Sequence, residues 1–285
     1  MGFLVPIFVG IAEAVIGAGA VATTLGYVAA FATEAFLLTG ISRLLTKNAA
    51  GTGQGDSGAR TQLPPQTNNV LPVVYGSAFV SPTITDAKIS SDQTTMWYVC
   101  ALSEVTNTNS VLDTPDTFTF GNIYYDNKLV TFGAGAGGGN NNVISLTTNS
   151  VPNQVDTKMK DKLYMYLFPN GSYSGINTGG RSAIDILSDA AIPAGERWDG
   201  PIYNTGGQSP NMTNTAFVIL KIVYDVNAGT TNLGTLTVQL QNSRNKPGDV
   251  FTDYFHNTRY GCGIPAEQID YYSFAQLNDL SLIHI

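Results

Sequence analysis

The sequence predicts an α+β chain, predominantly β and antiparallel, with an apolar helical segment ahead of the β region and a short helical segment after it. Three observations carry that reading. Of 285 residues 43% are hydrophobic and only 12% charged, enough apolar material for one or two sizeable cores. The 30 glycines sit with Asn, Thr and Ser in long polar stretches, which suits loops between strands better than helices. In TLTVQLQN, Leu236, Val238 and Leu240 alternate with Thr237, Gln239 and Gln241, the period of a strand with one buried and one wet face.

Taken from the N-terminus, residues 14 to 33 form a run of 20 without a charged side chain, bracketed by Glu13 and Glu34. That is long enough to cross a bilayer. The preceding MGFLVPIFVG lacks the positive side chains of a secretory signal. Gly10, Ala14, Ala18, Ala22, Gly26 and Ala30 recur every four positions, a ladder that lets helix backbones approach closely. Packing against another apolar partner and membrane insertion both stay open for it. A second helical piece carries Leu37, Leu38, Ile41, Leu44 and Leu45 on one side, with Arg43 and Lys47 toward the end that the helix dipole favours. Residues 1–47 thus read as one apolar helical segment, and 48–69, rich in Gly, Ser, Gln and Asn with a Pro-Pro pair, as a flexible linker.

Residues 70–245 read as strands. LPVVYGSAFV opens the region, and the apolar run 96–102 is expected in a strand buried on both faces. TFTFGNIYYDNKLVTF reads as two strands joined at a tight turn near Asp126 and Asn127. GAGAGGGNNN, 133–142, has the glycines of a phosphate cradle but no Lys-Ser or Lys-Thr after them, so it reads as a hairpin loop, and 133–180 as a loop or insertion around the strand KLYMYLF. Further strands follow in AFVILKIVYDV and TLTVQLQN. One helix is expected around 182–190 and another from Pro247 to Asp249 onward, turning Val250, Tyr254 and Phe255 inward.

Chemistry-bearing patterns are sparse. A net charge of −7 and a pI near 4.7 argue against sequence-specific nucleic-acid binding, which needs clustered cations. Cys100 lies in an apolar run and Cys262 between glycines, neither in a metal or redox spacing. With only His256 and His284, a histidine metal site or a Ser-His-Asp triad has little to rest on. The carboxylates are scattered, and turn or cap roles explain most of them. No catalytic, cofactor-binding or metal-binding residue is expected, and the chain reads as a non-enzyme.

The order of the strings is more specific than any single residue. Pro72, Val73, Val74, Tyr75 and Gly76, then a strand ending in Ser103 and Glu104, then a hairpin carrying Asp126 and Asn127, resemble the start of the tip attachment protein J family of long-tailed bacteriophages. The stretch from Trp198 through AFVILKIVYDVNAG to TLTVQLQN resembles that family's paired strands. Arg259, Tyr260, Gly261 and Gly263, followed by Asp270, Ser273 and Phe274, are similar to its turn between two helices. The likeness covers roughly 70–128 and 195–279; NKPGD replaces the family's Asn-Pro-Ala, and 145–180 matches nothing in it.

The resemblance implies hub-type β-domains in the central hub of a phage tail tip, located in the virion. It implies a homotrimer that closes the tail tube, contacts the distal tail protein, the tape-measure protein and other tail-tip proteins, and leads to receptor-binding parts beyond this chain. Residues 1–47 would pack in the tail lumen or touch the host membrane during DNA delivery, and acidity suits a wall past which DNA slides. Rival readings are a membrane-anchored bacterial β-domain and a tail-associated cell-wall hydrolase. The resemblance also makes 246–279 the start of an incomplete helical segment. The closing LSLIHI, 280–285, departs from it and is what an in-frame sequencing-adapter end encodes, so it is expected to be foreign to the protein.

Overall fold

A computed structural model describes residues 71–107, 115–133, 141–148, 153–203 and 210–283. The expectations for the apolar segment 1–47 and the linker 48–69 lie outside the described residues, as does the interior of the glycine loop, 134–140.

Ten strands are present among the described residues: β1 (Ser77–Val80), β2 (Thr83–Ile89), β3 (Thr95–Glu104), β4 (Phe118–Tyr125), β5 (Lys128–Phe132), β6 (Val143–Thr147), β7 (Val155–Asp156), β8 (Leu163–Phe168), β9 (Thr215–Val223) and β10 (Leu236–Asn242). Three α-helices accompany them, α1 (Ala183–Leu187), α2 (Pro247–His256) and α3 (Tyr271–Ile283), with a 3-10 turn at Ala266–Gln268. Every strand pairing is antiparallel, in a six-stranded sheet ordered β1-β10-β4-β5-β6-β7 and a four-stranded sheet ordered β2-β3-β9-β8. The fold is α+β and predominantly β.

The two sheets share one core. Tyr98, Cys100 and Leu102 of β3, Leu163, Met165 and Leu167 of β8, and Val218 and Leu220 of β9 meet Phe118, Ile123, Val130, Leu236, Val238 and Leu240 of the larger sheet. The intervening residues of the small sheet face the other way. Trp97, Val99, Tyr166, Phe168, Phe217 and Ile219 build a second core with Ala183, Ile186 and Leu187 of α1 and with Ile192 and Trp198. Register enforces the split, because residues directly opposite one another share a face: Val99 pairs with Ile219 in the outer core, and Cys100 with Val218 in the inner one. The apolar run 96–102 is continuous because β3 serves both cores.

Local chemistry fixes the connections. Asp126 and Asn127 both adopt positive φ, 49° and 59°, as the two-residue turn between β4 and β5 requires. Ser182 and Asp185 form a reciprocal cap at the start of α1.

Two expectations need correction. Residues 133–180, expected as a loop or insertion around the one strand KLYMYLF, contain that strand as β8, paired with β9, but also the unforeseen β6 and β7. The β5–β6 hairpin is closed by the Gly133 N–H on the Asn142 carbonyl at 3.0 Å. In α2 the inward residues are Gly248 and Asp253, whereas Tyr254 is 43% exposed and Val250 and Phe255 are half-buried. The helix lies on the body through a polar face, so its apolar residues are not what orients it.

A candidate docking latch between sandwich and helices

The segment Leu71–Gly76 runs beside the end of β3. Val73 pairs in parallel with Glu104, the Glu104 N–H donates to the Pro72 carbonyl at 3.1 Å, and the Val74 N–H donates to Ser103 Oγ at 3.0 Å. Gly76, at φ 62°, then turns the chain into β1 while its N–H donates to the Arg244 carbonyl at 2.9 Å. These bonds hold Tyr75 over α2.

There the Tyr75 hydroxyl donates to Asp253 Oδ2 at 2.6 Å, and the Tyr260 hydroxyl donates to the same oxygen at 2.7 Å. Asp253 Oδ1 accepts the Asn107 N–H at 3.0 Å. The carboxylate is 7% exposed, so its three donors replace the water it has lost. Burial, and then the bond to Asp253, push the Tyr75 and Tyr260 phenols well above their ordinary range. Both remain protonated donors at neutral pH.

The turn that ends α2 delivers Tyr260 to this point. Asn257 donates its N–H to the Asp253 carbonyl at 2.8 Å, and its Oδ1 accepts the Arg259 and Tyr260 N–H groups at 2.8 and 3.2 Å. The Cys262 N–H caps the Tyr254 carbonyl at 2.9 Å. A Cβ on Gly261 would overlap that same carbonyl oxygen, and Gly263 sits at φ 65°. Arg259 reaches back to Glu104, Nε to Oε2 at 2.8 Å.

A second layer backs the first. Asn242 Nδ2 donates to the Val74 carbonyl at 2.7 Å and to Thr106 Oγ1 at 2.8 Å, and Thr106 in turn donates to Asp116 Oδ2 at 2.6 Å. Arg244 pairs with Asp116 through Nε at 2.6 Å and donates from NH1 to the Asp249 carbonyl at 3.1 Å. Burial opposes the charge on Arg244, but its bonds to Asp116 outweigh that and hold its pKa above the ordinary value.

α3 closes the unit. A Cβ on Gly248 would overlap the Phe274 carbonyl oxygen, so the two helices cross at closest approach there. Lys246 offers no side-chain cap to α2; Asn278 of α3 does so instead, its Oδ1 accepting the Gly248 N–H at 2.7 Å while its Nδ2 donates to Asp249 at 2.8 Å. Phe274 lies against Phe251 and Phe255 with ring centroids 6.3 and 5.7 Å away.

Of the motif positions, Pro72, Tyr75, Gly76, Glu104, Arg259, Tyr260, Gly261 and Gly263 therefore gather in one place, while Phe274 packs on Phe251 and Phe255 between α2 and α3. Asp126 and Trp198 lie elsewhere. Asp126 clamps the β4–β5 turn to Thr235, N–H to carbonyl and Oδ1 to N–H, both at 2.8 Å. Trp198 sits in the outer core with its Nε1 on Asp86 Oδ2 at 2.8 Å. The sequence reading missed Asp253 as the centre of the latch, together with Asn242, Arg244, Asp116 and Asn278, since nothing in their spacing separates them from ordinary turn and cap residues.

Chemically the latch is an acceptor surrounded by its donors, with no nucleophile beside a free base. His256 Nδ1 lies 3.2 Å from the Ile264 carbonyl, within the same turn. Among the described residues no group of three or more His, Cys, Asp or Glu is placed to hold a metal ion, and no helix is long and apolar enough to cross a membrane. No family model matches the chain, and no curated protein matches it.

Proposed function

We propose that the chain is a structural component of a bacteriophage tail tip, the central hub that closes the tail tube and joins it to host-recognition parts during DNA delivery. The supporting observation is the gathering of Pro72, Tyr75, Gly76 and Glu104 with Arg259, Tyr260, Gly261 and Gly263 around Asp253. The strings that hold these residues are far apart in sequence, yet they meet in one latch. In this reading the hub is a homotrimer in the virion, with the distal tail protein, the tape-measure protein and other tail-tip proteins as neighbours and no cofactor. Residues 70–245 supply the hub β-domains and 246–279 the start of its helical segment.

Two measurements test it. The mass of the purified full chain in solution is expected to be that of a trimer, and a peptidoglycan zymogram is expected to stay opaque. A monomeric mass at every concentration would count against the hub; a clear zone of lysis, abolished by substituting a carboxylate, would replace it with a cell-wall hydrolase.

A further inference from the structure

α2 and α3 carry a half-open aromatic surface. Phe251 is 45% exposed, Tyr271 46% and Tyr272 73%, and none of the residues 271–279 of α3 is buried. Exposed aromatic side chains on two packed helices are the kind of surface at which something docks. Its rim is acidic, with Glu267, Asp270 and Asp279 all exposed.

We propose that the apolar segment 1–47 of the same chain covers this surface. The first reason is where the chain enters: it reaches the described body at Leu71, four residues before Tyr75, whose hydroxyl is bonded to Asp253 on α2 itself. A linker with the length and composition of residues 48–70 spans about 25–30 Å root-mean-square. A helix the length of α3 is about 20 Å long, so the patch lies within the tether's reach. Such a tether holds its segment at a local concentration in the millimolar range, which a second copy at micromolar concentration does not match. The second reason is complementarity. Residues 14–33 carry no charge and match an apolar face, while Arg43 and Lys47, the only cationic side chains of the segment, suit the acidic rim. This docking is independent of the assembly role proposed above, and it gives residues 1–47 a resting place on the protein rather than in a bilayer.

Cys262 provides the probe. It is exposed in the turn that closes α2, whereas Cys100 is buried, so a thiol-reactive benzophenone labels the full chain at one position. Photolysis of an equal mixture of ordinary and isotopically heavy chains, followed by peptide mass spectrometry, is expected to join the Cys262 peptide to peptides of 1–47 of the same isotope. The paired variant Phe251→Asp with Tyr272→Asp, at exposed positions, is expected to lower that yield about tenfold while amide-exchange protection of the sheets is unchanged. Mixed-isotope products with 1–47 would move the segment to a neighbouring copy. Products confined to residues 71–279 of another copy, or no products, would overturn the proposal, as would an undiminished yield in the paired variant.

Discussion

The four-stranded sheet and the terminal helices are attached to the same body by opposite means. In the sheet, Trp97 to Leu102 of β3 and Ala216 to Leu220 of β9 are buried on both faces, and attachment is the removal of apolar area from water. In α2 Gly248 is buried against α3 and Asp253 against the body, and attachment to the body is a set of short directional bonds to that one carboxylate. The first kind of attachment tolerates small rearrangement. The second is lost with a single acceptor.

The largest expected effect is therefore in the sheet. Phe217 stacks on Phe168 with centroids 4.6 Å apart in the outer core, and both are fully buried. Phe217→Ala removes that contact and leaves a cavity, costing about 3–5 kcal/mol in urea unfolding. Because β9 lies between β3 and β8, loss is expected across both sheets in one transition. Survival of the helical pair after the sheets had melted would break the comparison.

Alkali attacks the same region. Burial pushes the Cys100 thiol from its ordinary 9.0 up to about 12, and the Tyr98 phenol from 10.0 up to about 12. The fold keeps these protons while the unfolded chain releases them, so the stability they support is whole below about pH 9 and is lost as pH rises toward 12. Tyrosinate absorbance and loss of sheet circular dichroism are expected to rise together over that window; free titration of Tyr98 in an intact sheet would show it to be open.

Asp253→Ala separates the two regions. It removes the acceptor that the Tyr75 and Tyr260 hydroxyls share at a part-buried site and leaves the Asn107 N–H only its longer bond to the Tyr260 hydroxyl, 3.3 Å, at a cost of about 2–4 kcal/mol. Amide exchange across 247–279 is expected to accelerate strongly while β3 and β9 stay protected. Gly248→Val is a milder release of the same unit, about 1–3 kcal/mol, because its side chain must push α3 off at the Phe274 carbonyl.

The contrast also explains what the sequence disclosed. β3, β9 and β10 were legible because apolar burial leaves a period, continuous where both faces are covered and alternating in β10 where one is wet. The Asp126-Asn127 turn was legible because few residues tolerate its backbone. β6 and β7 were hidden: the one is five residues and the other two, both embedded in Asn- and Thr-rich chain whose pairing depends on the partner strand. The latch was half legible. Its glycines and tyrosines stood out as a string, but the acceptor they converge on did not, because a hydrogen bond between residues 178 positions apart leaves no periodic trace.

The smallest effect is expected at the most conspicuous charge of the turn. Arg259 bonds Glu104 at 2.8 Å, which in a list of contacts looks like a main tie between helix and sheet. Its side chain is 65% exposed, however, so water screens the pair and competes for the arginine end, and such pairs contribute about 0–1 kcal/mol. Arg259→Ala should shift the unfolding midpoint little and leave exchange in 247–279 nearly unchanged, in contrast to Asp253→Ala. A double-mutant cycle with Glu104→Gln measures the coupling directly. A coupling above about 2 kcal/mol would mean that the turn is drier than its exposure implies and that the ion pair, rather than the buried carboxylate, carries the latch.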